Sequence, residues 1–136
     1  MVKFSDSYTN LDKCEHIELI AYIDSYAHLF YGSKYDIVRL PTGNIGIRAR
    51  VSLQAGSDSP FIQHEPIVIE ICGEDIEESI INVYPDRTNF PFDNYPHINF
   101  AVGELPPSLC LTREDFINWY AEHSFGDLLE LIQQWF

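Results

Sequence analysis

One cysteine in this chain stands where a nucleophile would be placed. Cys110 lies in Ser108-Leu109-Cys110-Leu111, directly ahead of Thr112-Arg113-Glu114-Asp115, which reads as the start of a helix. Ahead of it runs Phe90-Pro91-Phe92-Asp93-Asn94-Tyr95-Pro96-His97-Ile98-Asn99-Phe100, an aromatic, proline-punctuated stretch leading into a short strand. A thiol at a helix entrance, with Thr112 as candidate N-cap, meets backbone N–H groups and the positive end of the dipole, both of which favour the thiolate. Glu104, Glu114 and Asp115 oppose that effect, because nearby anions disfavour a second negative charge.

The other two cysteines, Cys14 and Cys72, form no C-x-x-C pair with it or with each other. A disulfide framework and a structural zinc site are therefore not expected. The histidines, at 16, 28, 64, 97 and 123, have no metal-ligand spacing, so no metal and no cofactor is expected. Cys14 lies near the apolar stripe of the first helix and reads as a packing residue, and Cys72 at a strand end reads as core.

The elements that must position Cys110 fit one domain spanning residues 1–136. Leu19, Ile20, Ile23, Tyr26, Ala27 and Phe30 mark one face of a helix that starts near Thr9-x-x-Asp12 and ends at Gly32. Strands follow over Tyr35–Leu40, then Ile45–Leu53, where apolar residues alternate with Arg48 and Arg50 on the wet face, then Pro66–Cys72 and Ser79–Tyr84. Pro85, Pro91, Pro96, Pro106 and Pro107 exclude long regular elements thereafter. Two helices close the chain. One begins at Thr112 and carries Phe116, Ile117, Trp119 and Tyr120; the other begins at the capping box Ser124-x-x-Asp127 and presents Leu128, Leu129, Leu131, Ile132, Trp135 and Phe136. The fold class is α+β with an antiparallel meander. The ending on Trp135-Phe136 is consistent with one domain of a longer protein.

The net charge of -13 comes entirely from the second half: residues 1–50 carry six acids and six Lys/Arg, residues 51–136 fifteen acids against Arg87 and Arg113. Such a surface repels nucleic acid and anionic membrane and suits basic protein partners. No apolar run approaches the roughly 18 residues of a membrane span. The N-terminus lacks a signal-peptide h-region, so the expected location is cytoplasmic.

Together these motifs resemble the ubiquitin-conjugating enzyme (UBC) fold, and specifically its divergent bacterial relatives. In that family an N-terminal helix precedes a four-stranded antiparallel meander, an aromatic-Pro-Phe segment, a hydrophobic-Cys-Leu motif, a tryptophan and a crossover helix. Here Phe90-Pro91-Phe92, Tyr95-Pro96-His97-Ile98-Asn99-Phe100, Leu109-Cys110-Leu111, Trp119 and Ser124–Phe136 stand in those places. The resemblance spans the chain in element order and is sharp in sequence over residues 84–119.

The resemblance implies a transferase in which Cys110 carries a protein C-terminus as a thioester and passes it to an amine. His97, Asn99 and Thr112 are the candidate side-chain supports for the oxyanion, and donors of that kind are worth about 2.7–4 kcal/mol each. The family's His-Pro-Asn triplet is absent from Ala101–Leu109, and the terminal helices of the eukaryotic fold are not expected; both departures point to the bacterial branch. Its members accompany cGAS-like nucleotidyltransferases in antiphage (CBASS-type) operons, alone or as the first domain of a fusion with an activating-type enzyme. The implied partners are an adenylating, activating-type enzyme and, as conjugated substrate, the nucleotidyltransferase or a ubiquitin-like protein. Lysines occur only at 3, 13 and 34, which leaves few amines near a thioester on Cys110. The alternative is a catalytically inactive UBC-fold module that docks a partner, which the missing triplet favours. No His/Asp pair is spaced for the triad of an unrelated cysteine hydrolase.

Overall fold

Strict alternation over residues 45–52 places Ile45, Ile47, Ala49 and Val51 on one side of a strand and Gly46, Arg48, Arg50 and Ser52 on the other. The computed structural model, which describes residues 8–52, 64–71, 80–87 and 123–135, builds its sheet around this strand. Among the described residues five antiparallel strands follow one another in sequence order: β1 (Thr9–Asn10), β2 (Tyr35–Arg39), β3 (Ile45–Ser52), β4 (His64–Ile71) and β5 (Ile80–Pro85). The expected meander has four strands; the fifth is β1, where Thr9 and Asn10 pair with Arg39 and Val38.

The register sets one apolar row straight across the sheet: Ile37 opposite Ile47, Ile47 opposite Ile69, Ile69 opposite Val83. All four are at most 1% exposed, and each such side chain contributes roughly 1.5–3 kcal/mol by leaving water. Among the described residues, two helices cover this face. Helix α1 (Ile17–Asp24) inserts Leu19 and Ile23, and helix α2 (Phe125–Trp135) inserts Phe125, Leu128, Leu129 and Ile132. The helices meet through Phe125, whose ring stands edge-on to Tyr22, Tyr26 and Phe30 with centroids 6.3, 5.3 and 6.3 Å away. Gln133 Nε2 donates to the Ser52 carbonyl at 3.1 Å and ties α2 to the end of β3.

The N-terminal region departs from the single long helix expected. Thr9 belongs to β1, and Asp12 caps a 3-10 turn over Lys13–Glu15, its carboxylate accepting from the Cys14 N–H at 2.9 Å. The α-helix stops at Asp24, and the stripe continues through 3-10 turns at Ala27–Leu29 and Tyr31–Ser33. Phe30 is still buried and Tyr26 and Ala27 still pack on the core, so the apolar spacing survives the change of helix type. Gly32 and Ser33, at φ 69° and 53°, then turn the chain into β2. Cys14 is corrected by the same change: in the 3-10 turn it is an exposed free thiol, not a packing residue. Cys72, Trp119 and the helix expected at Thr112 lie outside the described residues, as does the side chain of Trp135.

The strand and turn expectations otherwise agree closely with the described residues. The chain leaves β2 at Leu40 and reverses through Pro41–Asn44, with Gly43 at φ 89°. The capping box at α2 closes in both directions: Ser124 N–H donates to Asp127 Oδ2 at 3.0 Å and Asp127 N–H to Ser124 Oγ at 3.1 Å.

Candidate functional site

Cys110, His97, Asn99 and Thr112 all lie outside the described residues, in the stretch between β5 and α2. The described residues do define the two ends of that stretch. At the far end stands the Ser124–Asp127 box of α2. At the near end the chain leaves β5 under three restraints. Asp86 N–H donates to the Pro66 carbonyl at 2.9 Å, and its carboxylate pairs with Arg48 on one face of the sheet. Arg87, the next residue, reaches the other way to Glu65 of β4, Nε to Oε1 at 2.7 Å and Nη2 to Oε2 at 2.8 Å.

That second pair is the more demanding, because Glu65 is fully buried. A buried carboxylate is tolerated only with charge-assisted partners, and the two-pronged guanidinium contact supplies them. Neighbouring residues are thus pinned to opposite faces of the sheet immediately before the proline-punctuated segment. Asp86 and Glu65 do not stand out in the sequence, whereas Arg87 is one of only two Lys/Arg after residue 50. Glu70 is a lone carboxylate within the apolar run Ile67–Ile71, where an ionisable residue must find partners.

The sheet face away from these helices carries polar side chains. Among the described residues its apolar cluster is Val38, Leu40, Val68 and Tyr84, with Tyr8 packed against them. Gly46 is required here, because a Cβ would sit 2.8 Å from Val68 Cγ1 and 3.0 Å from Leu40 Cδ2. Beside this cluster Glu70 is 2% exposed and has four donors but no cation. Tyr84 Oη donates to Oε1 at 2.7 Å, Thr42 Oγ1 and Asn44 Nδ2 to Oε2 at 2.9 Å each, and Asn82 Nδ2 to Oε1 at 3.5 Å. Burial alone would push the carboxyl up, but the hydrogen bonds outweigh it and hold Glu70 below the usual carboxylate range. The same burial and the bond to Glu70 push the Tyr84 phenol well above its ordinary range.

Further along this face, Arg48 places Nε and Nη2 each 2.9 Å from Asp86 Oδ2 and lays its guanidinium over the Tyr8 ring, 5.5 Å from the centroid. Arg48 is therefore half-buried and engaged, whereas the alternation alone put it with Arg50 on a wet face. Burial raises the Asp86 carboxyl despite the opposing charges of Arg48 and Arg50. Arg48, Arg50 and Asp86 line an open groove of about 760 Å³ together with Tyr31, Lys34 and Asp36. Tyr31 stacks on His64 at the end of β4, ring centroids 3.7 Å apart.

No group of His, Cys, Asp and Glu among the described residues could hold a metal ion, and no described helix is long and apolar enough to cross a membrane. Comparison with known proteins finds no matching family model, no matching curated protein and no matching solved structure.

Proposed function

We propose that the protein is a ubiquitin-conjugating-like acyl transferase, with Cys110 as the nucleophile that carries a protein C-terminus as a thioester. The observation that supports it is the order of elements around the cysteine. Helix α1, then an antiparallel meander in strict sequence order, leads to the Phe-Pro-Phe, Tyr-Pro and Leu-Cys-Leu segment, and α2 returns to the same sheet face as α1. In the sequence the candidate catalytic residues fall between two described features, the Asp86–Arg87 restraints and the Ser124–Asp127 box.

In this reading the Cys110 thiolate attacks an activated C-terminal carbonyl and displaces the activating enzyme's sulfur. The resulting thioester then acylates an amine, regenerating the thiol. His97, Asn99 and Thr112 are the candidate oxyanion donors. By the same resemblance, the pathway is bacterial antiphage defence of the CBASS type, with an activating-type enzyme upstream and a cGAS-like nucleotidyltransferase or ubiquitin-like protein as cargo. A second reading is a docking module of the same fold without catalysis, favoured by the absence of a His-Pro-Asn triplet between Phe100 and Cys110.

Incubation with an activating-type enzyme encoded beside it, ATP and the candidate cargo separates the two. The transferase gives an adduct on a non-reducing gel that thiol reductant removes and Cys110→Ala abolishes. The absence of any such adduct with every partner combination leaves the docking module.

A further inference from the structure

Among the described residues, the sheet ends on a strand too short to cover its neighbour. β1 pairs Thr9 with Arg39 and Asn10 with Val38, whereas β2 runs from Tyr35 to Arg39. Leu40 N–H donates to the Asn44 carbonyl on the β3 side, so the alternate residues Tyr35, Ile37 and Arg39 turn their N–H and C=O groups toward β1. Past Asn10 the cover changes character. Leu11 N–H donates to the Ile37 carbonyl at 3.0 Å. At Tyr35 a side chain takes over: Lys13 Nζ donates to the carbonyl at 2.7 Å and sits 4.0 Å from the ring centroid.

Residues 9–13 thus form a strap that is lightly held. Thr9 and Asn10 are both exposed, so the strand itself buries little surface. Tyr8 lies beneath the Arg48 guanidinium but buries its hydroxyl without a hydrogen-bond partner, which weakens the seat at this end. A lysine at a sheet edge keeps other strands away. Lys13 does so at Tyr35, the position where an incoming strand would complete the ladder.

The edge beneath the strap is complementary to itself. Two β2 strands set antiparallel about Ile37 place Ile37 opposite Ile37, and Tyr35 opposite Arg39 of the second copy. All three positions have edge-facing backbone groups, so the whole strand pairs in register. Arg39 is exposed, and from the second copy its guanidinium reaches the Tyr35 ring that Lys13 now covers, one cation replacing another. Charge does not oppose the contact, because residues 1–50 carry six acids and six Lys/Arg. We propose that residues 9–13 are a displaceable strap and that the β2 edge beneath it pairs with β2 of a second copy of this chain. The inference is independent of any thioester chemistry at Cys110.

Sedimentation velocity of the full chain from micromolar to millimolar concentration tests it. Leu11→Pro/Lys13→Ala removes the donor to Ile37 and the cover on Tyr35. It should raise the apparent dimerisation constant roughly tenfold or more, since each lost bond increases the fraction of chains with the edge open. Lys13→Gln alone should act in the same direction by roughly threefold, and it keeps the test open if the double variant does not fold. Adding Arg39→Glu to either variant should reverse the gain, because a carboxylate then faces the Tyr35 ring of the second copy. Amide NMR shifts on association should centre on Tyr35, Ile37 and Arg39. Unchanged association when the strap is weakened, a dimer that Arg39→Glu leaves intact, or shifts that spare residues 35–39 each overturns it.

Discussion

Ile69 and Glu70 are neighbours on β4, almost equally buried, and they face opposite ways. Ile69 lies in the apolar row Ile37–Ile47–Ile69–Val83 beneath the helices, inside the main buried apolar cluster. Glu70 reaches the same degree of burial on the other face because tyrosine, threonine and two asparagines converge on it. The helix-covered face derives its stability from area removed from water, which is insensitive to direction. The open face depends on hydrogen bonds that hold only in one geometry, and so fixes the Pro41–Asn44 turn and β5 relative to β4. One face supplies most of the stability; the other arranges polar groups around a groove.

The comparison breaks most visibly at Ile69. Ile69→Ala should lower the unfolding free energy by about 2–5 kcal/mol, measured by urea denaturation, because the surrounding row cannot collapse into the cavity. A loss under about 1 kcal/mol would show that the row is loosely packed.

Glu70→Gln is expected to cost less, about 1–3 kcal/mol, because the amide nitrogen presents a donor to groups that are themselves donors. The pH dependence sharpens the contrast. Glu70 is held below the usual carboxylate range in the folded state, so its contribution is present above the unfolded value, about 4.3, and is lost as pH falls through the folded value. Acid titration of unfolding should therefore be shallower in Glu70→Gln than in the parent chain, and parallel curves would exclude Glu70 as a source of acid lability. Ile69→Ala should shift the curve without changing its shape.

The smallest effect belongs to the cap that sets α2 on the helix-covered face. Ser124→Ala removes one side of the capping box and should cost about 1 kcal/mol in the same urea assay, with the thiol reactivity of Cys110 left as a separate measurement. A loss as large as that of Ile69→Ala would mean that α2 docking depends on its first turn more than on Phe125, Leu128 and Ile132.

Short-range pattern accounts for much of the architecture. Alternation over residues 45–52 assigns the two faces of β3, and Ser124-x-x-Asp127 marks the start of α2 to the residue. The N-terminal stripe, by contrast, misleads about helix type: 3-10 turns keep Phe30 and Tyr26 facing the core while ending the α-helix at Asp24. Cys14 was misplaced for the same reason, since its exposure depends on how a three-residue turn is oriented rather than on its neighbours in sequence. The candidate catalytic residues, Cys110 with His97, Asn99 and Thr112, remain readings of motif and order.

What the sequence determined alone is whatever depends on contacts a few residues apart: strand alternation, turn residues, the α2 cap, and the placing of an acidic half after a charge-balanced one. Only the tertiary structure decided which charges are buried and with whom. Glu65 meets Arg87 across 22 positions, Arg48 meets Asp86 across 38, and Glu70 collects Thr42 and Asn44 from 28 and 26 positions away. Burying a charge is tolerable only when partners arrive in the right geometry, and that geometry is set by strand register, a property of paired strands that no single stretch of sequence contains.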